Sequence, residues 1–257
     1  MKRYPSTAAL ATTVAGLIFL FSNQAAAQES AVRVLVSNGL KGAMEELQPQ
    51  AERAIGRPLS VQYNSTLSVK KKIEEGEMFD ATVITTEVVG DLVKEGKLAA
   101  NSRTELARSE LGIGIKAGAA KPDIHTVEAL KRALKEAKSI TYPQDGASRG
   151  YIDMMFVRLG IAADLKPKIV LAPGSGPATE SVAAGKATFV ITLFSEIVPI
   201  KGVEILGPLP GEYQSDIKFA AAVSATAKNA EAGKALIAFL KSPKAAAVLK
   251  AKGLEPR

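Results

Sequence analysis

Short apolar runs alternate along this chain with segments in which apolar positions recur every three or four residues. The short runs predict β-strands, and the periodic segments predict amphipathic α-helices. The predicted strands are Val32–Val36, Leu59–Tyr63, Ala81–Thr85, Ser109–Ile115, Ser139–Tyr142, Ile169–Ala172 and Phe189–Leu193. The predicted helices are Leu40–Ala54, Leu67–Glu75, Val88–Glu95, Val127–Lys138, Ile152–Leu159, Thr179–Ala184, Ala230–Leu240 and Pro243–Lys252. This alternation predicts an α/β protein with mainly parallel sheets.

Two places in the pattern indicate a change of structural unit. The strand predicted at Ser109–Ile115 leads into a polar segment at Lys116–Pro122, and glycine and proline cluster at Pro199–Gly211. Two crossings with a compact segment between them suggest two lobes, the second inserted into the first. We expect lobe 1 to comprise residues 28–111 and 205–257, and lobe 2 to comprise residues 112–204.

The first 27 residues have the pattern of a secretory signal peptide. Lys2 and Arg3 precede an apolar stretch at Ala8–Phe21, and three alanines ending at Ala27 match a cleavage site. The apolar stretch is short for a bilayer crossing, so we expect cleavage near Ala27 and no stable membrane anchor. The chain has no cysteine, which excludes lipid attachment at a processed cysteine. The periplasm is the expected compartment.

Composition excludes several classes of function. The net charge of +7 is spread along the chain, and its densest run, Lys70–Lys72, falls in a predicted helix and suits a solvated face. With no tryptophan and few aromatic residues, stacking of nucleic-acid bases has no support. A single histidine, His125, and no cysteine exclude the usual zinc motifs, and no glycine-rich nucleotide loop is present. We therefore expect a monomer with no cofactor, no metal and no nucleic-acid partner.

Four loops of small polar residues connect a predicted strand to a predicted helix. They are Ser37-Asn38-Gly39, Asn64-Ser65-Thr66, Gln144–Gly150 and Gly174–Ala178. Each brings hydroxyls and free backbone N–H groups to a helix start, where the helix dipole favours negative charge. A single loop of this type is explained by helix capping alone. Four of them, two in each expected lobe, predict a cleft that holds an anion.

Few charged or aromatic side chains accompany these loops. Arg149 could form a bidentate bond to a carboxylate, although solvent exposure explains it equally well. Lys41, Tyr151 and Glu180 are weak candidates for catalysis. Each also has a structural explanation: an exposed cation, a packing residue and a first-turn acid that suits the helix dipole.

The order of these motifs resembles the periplasmic solute-binding proteins of ABC transporters, specifically the type II branch with the molybdate- and tungstate-binding proteins. The resemblance rests on Val34–Met44, Asn64–Thr85, Tyr142–Ile161 and Phe239–Pro256. It implies two α/β lobes, a hinge of two strands, a small anionic ligand in the cleft and a membrane permease as partner. By position it implies binding groups at Ser37, Asn38, Gly39, Ser65, Thr66, Ala147, Ser148, Arg149, Ala178, Thr179 and Thr192.

The chain departs from the molybdate pattern at two positions. Molybdate binders usually have alanines and then a serine where this chain has Ser37-Asn38-Gly39, and a tyrosine where it has Leu193. Two oxyanion ligands are thus missing or moved.

Two further segments, Ala117–Tyr151 and Val203–Gln214, resemble bacterial aconitate isomerases, exported enzymes on the same fold. Two hypotheses follow. The first is a binding protein that captures an oxyanion or an organic carboxylate for transport. The alternative is an isomerase that shifts an allylic proton on an unsaturated tricarboxylate.

Overall fold

The computed structural model describes residues 31–257, so the predicted signal peptide at residues 1–27 lies outside the described residues. Its strands are β1 (Val32–Ser37), β2 (Leu59–Asn64), β3 (Ala81–Thr85), β4 (Thr104–Lys116), β5 (Ile140–Pro143), β6 (Ile169–Ala172), β7 (Phe189–Leu193), β8 (Val203–Pro208), β9 (Asp216–Val223) and β10 (Glu255–Pro256). All of the strands predicted from the sequence are present, with ends that differ mostly by one residue. The apolar runs therefore located these seven strands correctly.

Eight of the helices follow the predicted periodicity, and two four-residue helices, at Ala162–Leu165 and Phe194–Ile197, were not expected from the sequence. They are α1 (Lys41–Ile55), α2 (Thr66–Glu74), α3 (Thr86–Lys94), α4 (Val127–Glu136), α5 (Arg149–Arg158), α6 (Ala162–Leu165), α7 (Ser175–Ala183), α8 (Phe194–Ile197), α9 (Ala230–Leu240) and α10 (Pro243–Ala251). Single 3-10 turns lie at Asn38–Leu40, Ala100–Ser102, Lys166–Lys168 and Gly211–Tyr213. Side-chain caps explain several helix starts: the hydroxyl of Ser65 accepts from the backbone N–H of Ser68, and Ser242 caps α10 in the same way.

The strands form one sheet with the order β2-β1-β3-β9-β4-β7-β5-β6, and β8 and β10 pair with β4. Strand β4 joins two halves of this sheet. Thr104–Glu110 pairs with β9 in the first half-sheet, which also holds β1, β2, β3 and β10. Leu111–Lys116 pairs with β7 and β8 in the second half-sheet, which also holds β5 and β6. The α/β architecture and the two-lobed fold are thus confirmed.

The sheet is mixed rather than mainly parallel. Parallel pairs join β1 to β2 and β3, and β5 to β6 and β7. Every antiparallel pair among the described strands involves β4 or β9. Parallel strands are joined by helices that carry the chain back to the same end of the sheet. Strands β4 and β9 instead run opposite to the strands beside them, so their pairs are antiparallel.

The second crossing between the half-sheets follows β8. Gly112–Lys116 of β4 pairs with β8 as far as Pro208, and the chain enters the first half-sheet at Asp216. The sequence placed this boundary at residues 204 and 205. We propose that lobe 2 extends to Pro208, because the backbone hydrogen bonds of β8 belong to the second half-sheet.

Three strands were not expected from the sequence: β8, β9 and β10. Strand β9 contains three successive alanines, Ala220–Ala222, which carry little β-propensity. It forms because β3 and β4 satisfy its backbone on both sides, while its small side chains are fully buried beneath packed helices.

Candidate functional site

The carboxyl ends of strands from both half-sheets face a common space, which we call the central site. This position agrees with the rule that ligands of α/β proteins lie beyond the carboxyl ends of parallel strands. The central site encloses about 10 Å³ and is lined by Ser37, Asn38, Ser65, Thr66, Pro143, Asp145, Gly146, Ala147, Gly174, Ser175, Leu193 and Glu196. Residues from all four predicted loops therefore meet at one place.

Two larger cavities flank the central site. The first, which we call the Lys41 cavity, encloses about 420 Å³ and is lined by Asn38, Lys41, Gly42, Glu45, Pro173, Gly174, Ser175, Gly176, Pro177, Glu180, Ser195, Glu196, Pro199 and Ile200. The second, the Arg149 cavity, encloses about 470 Å³ and is lined by Thr66, Leu67, Thr85, Glu87, Val88, Gln144, Asp145, Gly146, Ala147, Arg149, Gly150, Tyr151 and Ile217. Each cavity shares lining residues with the central site, so the three spaces are adjacent, and we call them together the cleft.

The first half-sheet contributes hydroxyl groups to the central site. The Thr66 hydroxyl donates to the Ser37 Oγ atom over 3.1 Å, which leaves the Ser37 hydrogen for another acceptor. Ser65 is engaged within its own helix, because its Oγ atom accepts from the backbone of Ser68 at 3.2 Å and its hydroxyl donates to the Ser68 Oγ atom at 2.9 Å. Ser37 is consequently the hydroxyl best placed to donate to an anion, because the hydroxyl hydrogens of Thr66 and Ser65 are already used.

Gly39 is required by the packing of the turn after β1, and its contact with a ligand remains a prediction. A Cβ atom at this position would lie 2.5 Å from the Cζ atom of Phe219, a side chain buried in the first half-sheet. Glycine lets the turn after β1 approach β9 closely. Its neighbour Asn38 lines both the central site and the Lys41 cavity.

In the loop before α5, the predicted residues separate into different environments. Ala147 lines the central site through its partly exposed backbone and methyl group. Ser148 is 1% exposed, and its hydroxyl has no hydrogen-bond partner among the described residues. It lies outside the lining of the three spaces. Its role as a ligand contact remains a prediction.

Arg149 lines the cavity named after it, but much of its guanidinium is already engaged. The Nε atom donates to Asp153 Oδ2 over 2.5 Å, and Nη1 donates to the carbonyl of Gln144 over 3.1 Å. The group also lies 5.3 Å from the centroid of the Tyr142 ring. Solvent exposure alone therefore does not explain Arg149, since these contacts fix its side chain at the wall of the Arg149 cavity.

Ala178, Thr179 and Thr192 do not line the central site or its flanking cavities. The Thr179 hydroxyl donates to the carbonyls of Ser175 at 3.0 Å and Glu196 at 3.2 Å, so it connects α7 to α8. The Thr192 hydroxyl donates to Glu196 Oε2. Both threonines therefore contact Glu196, and the role of Ala178, Thr179 and Thr192 as ligand contacts remains a prediction.

Glu196 is the lining residue that the sequence reasoning missed. Its carboxyl group accepts hydrogen bonds from the hydroxyls of Thr192 and Ser175 and from the Leu193 backbone. Burial raises the pKa of Glu196 above its ordinary value, and these donors only partly oppose the effect. The available sequence signal was an acid in the first turn after the buried strand β7, a position from which Glu can reach back to the helix start.

The weak catalytic candidates occupy different cavities. Lys41 and Glu180 line the Lys41 cavity, while Tyr151 lines the Arg149 cavity and is 49% exposed. The Lys41 ammonium group lies 3.8 Å from Glu45. Because Tyr151 is on the other side of the central site, these three residues do not form one catalytic group.

Within residues 31–257, no group of three or more His, Asp or Glu side chains could hold a metal ion. No helix of this part of the chain combines the length and the apolar character that a bilayer crossing requires. The polar groups that line the cleft are hydroxyls, backbone N–H groups, carboxyls and the cations of Lys41 and Arg149.

Comparison with known proteins places this geometry in a family. The family described as bacterial extracellular solute-binding protein matches residues 32–255. A Pseudomonas protein named aconitate isomerase is 28% identical over 255 residues, covering 96% of this chain and 97% of that protein. The molybdate-binding protein ModA of Azotobacter vinelandii is 27% identical over 236 residues, covering 89% of this chain and 91% of that protein.

The structural comparison agrees with the sequence comparison. The periplasmic molybdate-binding protein of Azotobacter vinelandii has the same fold, with a TM-score of 0.73 at 21% identity over 87% of this chain and 98% of that chain. The family match extends over nearly all of the described residues. This chain therefore belongs to the bacterial extracellular solute-binding proteins, as the resemblance of its motifs predicted.

Proposed function

We propose that this protein captures a small anion in the central site and delivers it to the membrane permease of an ABC transporter. The observation that carries this proposal is the convergence of helix starts from both half-sheets on one space. Ser37 and Thr66 face it from one side, and the loops at Gly146-Ala147 and Gly174-Ser175 face it from the other. Exposed N–H groups and helix dipoles at such starts attract negative charge. The periplasm, after removal of residues 1–27, is the proposed place of action.

An organic carboxylate suits the lining better than a tetrahedral oxyanion. The Arg149 cavity combines one cation and two carboxyl groups with the apolar side chains of Leu67, Val88 and Ile217, which could contact a carbon skeleton. In the central site, Leu193 is buried and offers no side-chain donor where molybdate binders usually have a tyrosine. A ligand with two or three carboxylates would place one beside the helix starts and another near Arg149.

A thermal-unfolding panel tests this proposal. The purified protein is melted with molybdate, tungstate, sulfate, phosphate, citrate, cis-aconitate and trans-aconitate. A ligand at a hundred times its Kd adds about 2.7 kcal/mol to the free energy of unfolding. For a chain of this size, the midpoint should rise by roughly 5–10 °C. We expect the largest rise with a tricarboxylate, and the absence of a rise with every anion would contradict anion capture.

Two serine variants test whether the anion-induced rise of the unfolding midpoint depends on the central site. Ser37→Ala removes a hydroxyl from the central site, so the anion-induced rise should fall by at least half. Ser60→Ala is the matched control, because Ser60 is an exposed residue of the neighbouring strand β2 and lines none of the three spaces. Its rise should equal that of the parent protein.

The second candidate function is isomerisation of an unsaturated tricarboxylate. Two observations favour it: the relative named aconitate isomerase aligns with 96% of this chain, and two carboxyl groups, Asp145 and Glu196, line the central site. An allylic proton shift needs a group that removes a proton from one carbon and returns it to another. Incubation with trans-aconitate, followed by chromatography for cis-aconitate, distinguishes this function from transport. Absence of turnover at high protein concentration would leave binding alone.

A further inference from the structure

We propose that Glu196 couples anion binding to proton uptake. When the anion enters the central site, the carboxylate of Glu196 takes one proton from solvent, and the resulting O–H group donates a hydrogen bond to the anion. This inference rests on the proposed capture of an anion at the same site.

The position of Glu196 makes this role possible. Its side chain lines both the central site and the Lys41 cavity, so an anion in the cleft lies beside it. The hydroxyl of Thr192, which lies outside these spaces, and the hydroxyl of Ser175, which lines both of them, donate to the carboxyl. These two hydroxyls and the Leu193 backbone occupy acceptor positions of the carboxyl, which leaves its acidic proton for an acceptor in the cleft. An ionised carboxylate at this place would repel the anion.

The surrounding charges do not hold Glu196 in its ionised form. Lys41 and Glu45 of α1 and Glu180 of α7 face it across the Lys41 cavity, and Asp145 shares the central site. Strands β4, β7 and β8 contribute no charged side chain to the lining of these two spaces. Three of these four groups are acidic, and the one cation, Lys41, lies 3.8 Å from Glu45 rather than in an ion pair with Glu196. Burial raises the pKa of Glu196 and so favours protonation.

Glu196 also has a purely structural explanation. Its bond to the Leu193 backbone resembles a capping box, in which an acid in the first turn satisfies the N–H group at the helix start. A capping acid alone would bind no proton when the anion binds. Proton uptake therefore separates the two explanations.

Calorimetric titration measures this uptake directly. The full-length protein is titrated with trans-aconitate or molybdate in two buffers of different ionisation enthalpy, between about pH 6 and 8.5, where ordinary carboxyl groups stay ionised. We expect uptake of up to one proton per anion. Above the pKa of Glu196, the affinity should fall by as much as about tenfold per pH unit. Binding without proton uptake and without pH dependence would overturn the role of Glu196 while leaving anion capture intact. Failure of both probes to bind the parent protein would overturn anion capture, and the proton coupling with it.

Two variants test whether Glu196 is the group that takes up the proton. Glu196→Gln keeps the shape and a permanent N–H donor, so it should bind the same probe with less than a twofold change in affinity between the two pH values. Glu128→Gln is the matched control, because Glu128 is also a first-turn acid but is exposed on α4 outside the cleft. It should keep the parent pH dependence. If Glu196→Gln also keeps the parent pH dependence, the proposal fails. A thermal melt of each variant establishes that the variant is folded.

Discussion

Arg149 and Arg158 lie at opposite ends of α5 and have similar environments. Arg149 pairs with Asp153 and lies 5.3 Å from the Tyr142 ring centroid. Arg158 pairs with Glu212 and lies 5.2 Å from the Tyr213 ring centroid. The difference is location, because only Arg149 of this pair lines the cleft. Substitutions of the two arginines therefore differ mainly in whether they remove a contact with a ligand in the cleft.

Arg149→Ala should weaken trans-aconitate binding by about ten- to a hundredfold. The reason is the loss of a charge-assisted hydrogen bond, which contributes about 1.5–3 kcal/mol. Arg149→Lys should recover only part of the affinity, since an ammonium group cannot reproduce the planar guanidinium. Calorimetric titration measures both variants.

Arg158→Ala serves as the control and should change the affinity by less than about twofold, because it lies outside the cleft. Equal affinities of Arg149→Ala and the parent protein would show that Arg149 does not contact the ligand. Ser37 would then be the main side-chain candidate for ligand recognition.

At the scale of elements, Asp80 connects three parts of the first half-sheet. It is fully buried immediately before β3. Its carboxylate accepts from the backbone of Arg33 in β1 at 2.9 Å, from the backbone of Asn229 before α9 at 2.8 Å, and from the Asn229 side chain at 3.2 Å. Burial alone would raise its pKa, but these hydrogen bonds outweigh burial and lower the pKa of Asp80.

Asp80→Asn should lower the free energy of unfolding by about 1–3 kcal/mol at pH 7, because an amide cannot accept from all of these donors. A lowered folded-state pKa means that ionised Asp80 stabilises the fold fully above the unfolded pKa of about 3.9. That stabilisation is lost as the pH falls through the lower folded-state pKa. The difference between variant and parent should therefore shrink in acid, as urea unfolding at neutral and acidic pH can measure.

Asp91→Asn is the control for this comparison. Asp91 is an exposed carboxylate on α3, 3.5 Å from Lys94, and pairs of this kind contribute less than about 1 kcal/mol. A stability loss for Asp80→Asn that is equally small would contradict the connecting role of Asp80.

At the scale of the whole molecule, the size of the central site constrains how a ligand enters. The site encloses about 10 Å³, close to the roughly 10–15 Å³ of cavity volume that is needed to hold a single water molecule. An anion of several atoms needs the two half-sheets to separate. Within residues 31–257, the chain crosses between them at β4 and at the segment after β8, and we propose that a hinge motion at these crossings opens the cleft.

We therefore expect the radius of gyration to decrease when trans-aconitate saturates the protein, since the ligand holds the half-sheets together. Small-angle X-ray scattering with and without the ligand measures the change. Sodium chloride at the same ionic strength is the control and should leave the radius unchanged. An identical radius in all three samples would exclude closure as the binding motion.

The sequence by itself determined the local structure and the family. Apolar periodicity located the longer helices and most of the strands, because each depends on residues close together in the chain. Small polar residues between strand and helix identified the loops at Ser37, Thr66 and Gly146 that line the central site. Their meeting at one edge follows from the parallel arrangement of the strands.

Tertiary structure alone decided features that depend on distant neighbours. Strand β9 forms from alanines because β3 and β4 lie on either side of it. The Thr179 hydroxyl is directed to the Glu196 backbone, and Lys41 and Tyr151 are separated into different cavities. The environment of Glu196 likewise requires Ser175, 21 positions earlier in the chain, to be brought beside it. Burial and hydrogen bonding between distant segments are properties of the folded chain, and local sequence patterns do not specify them.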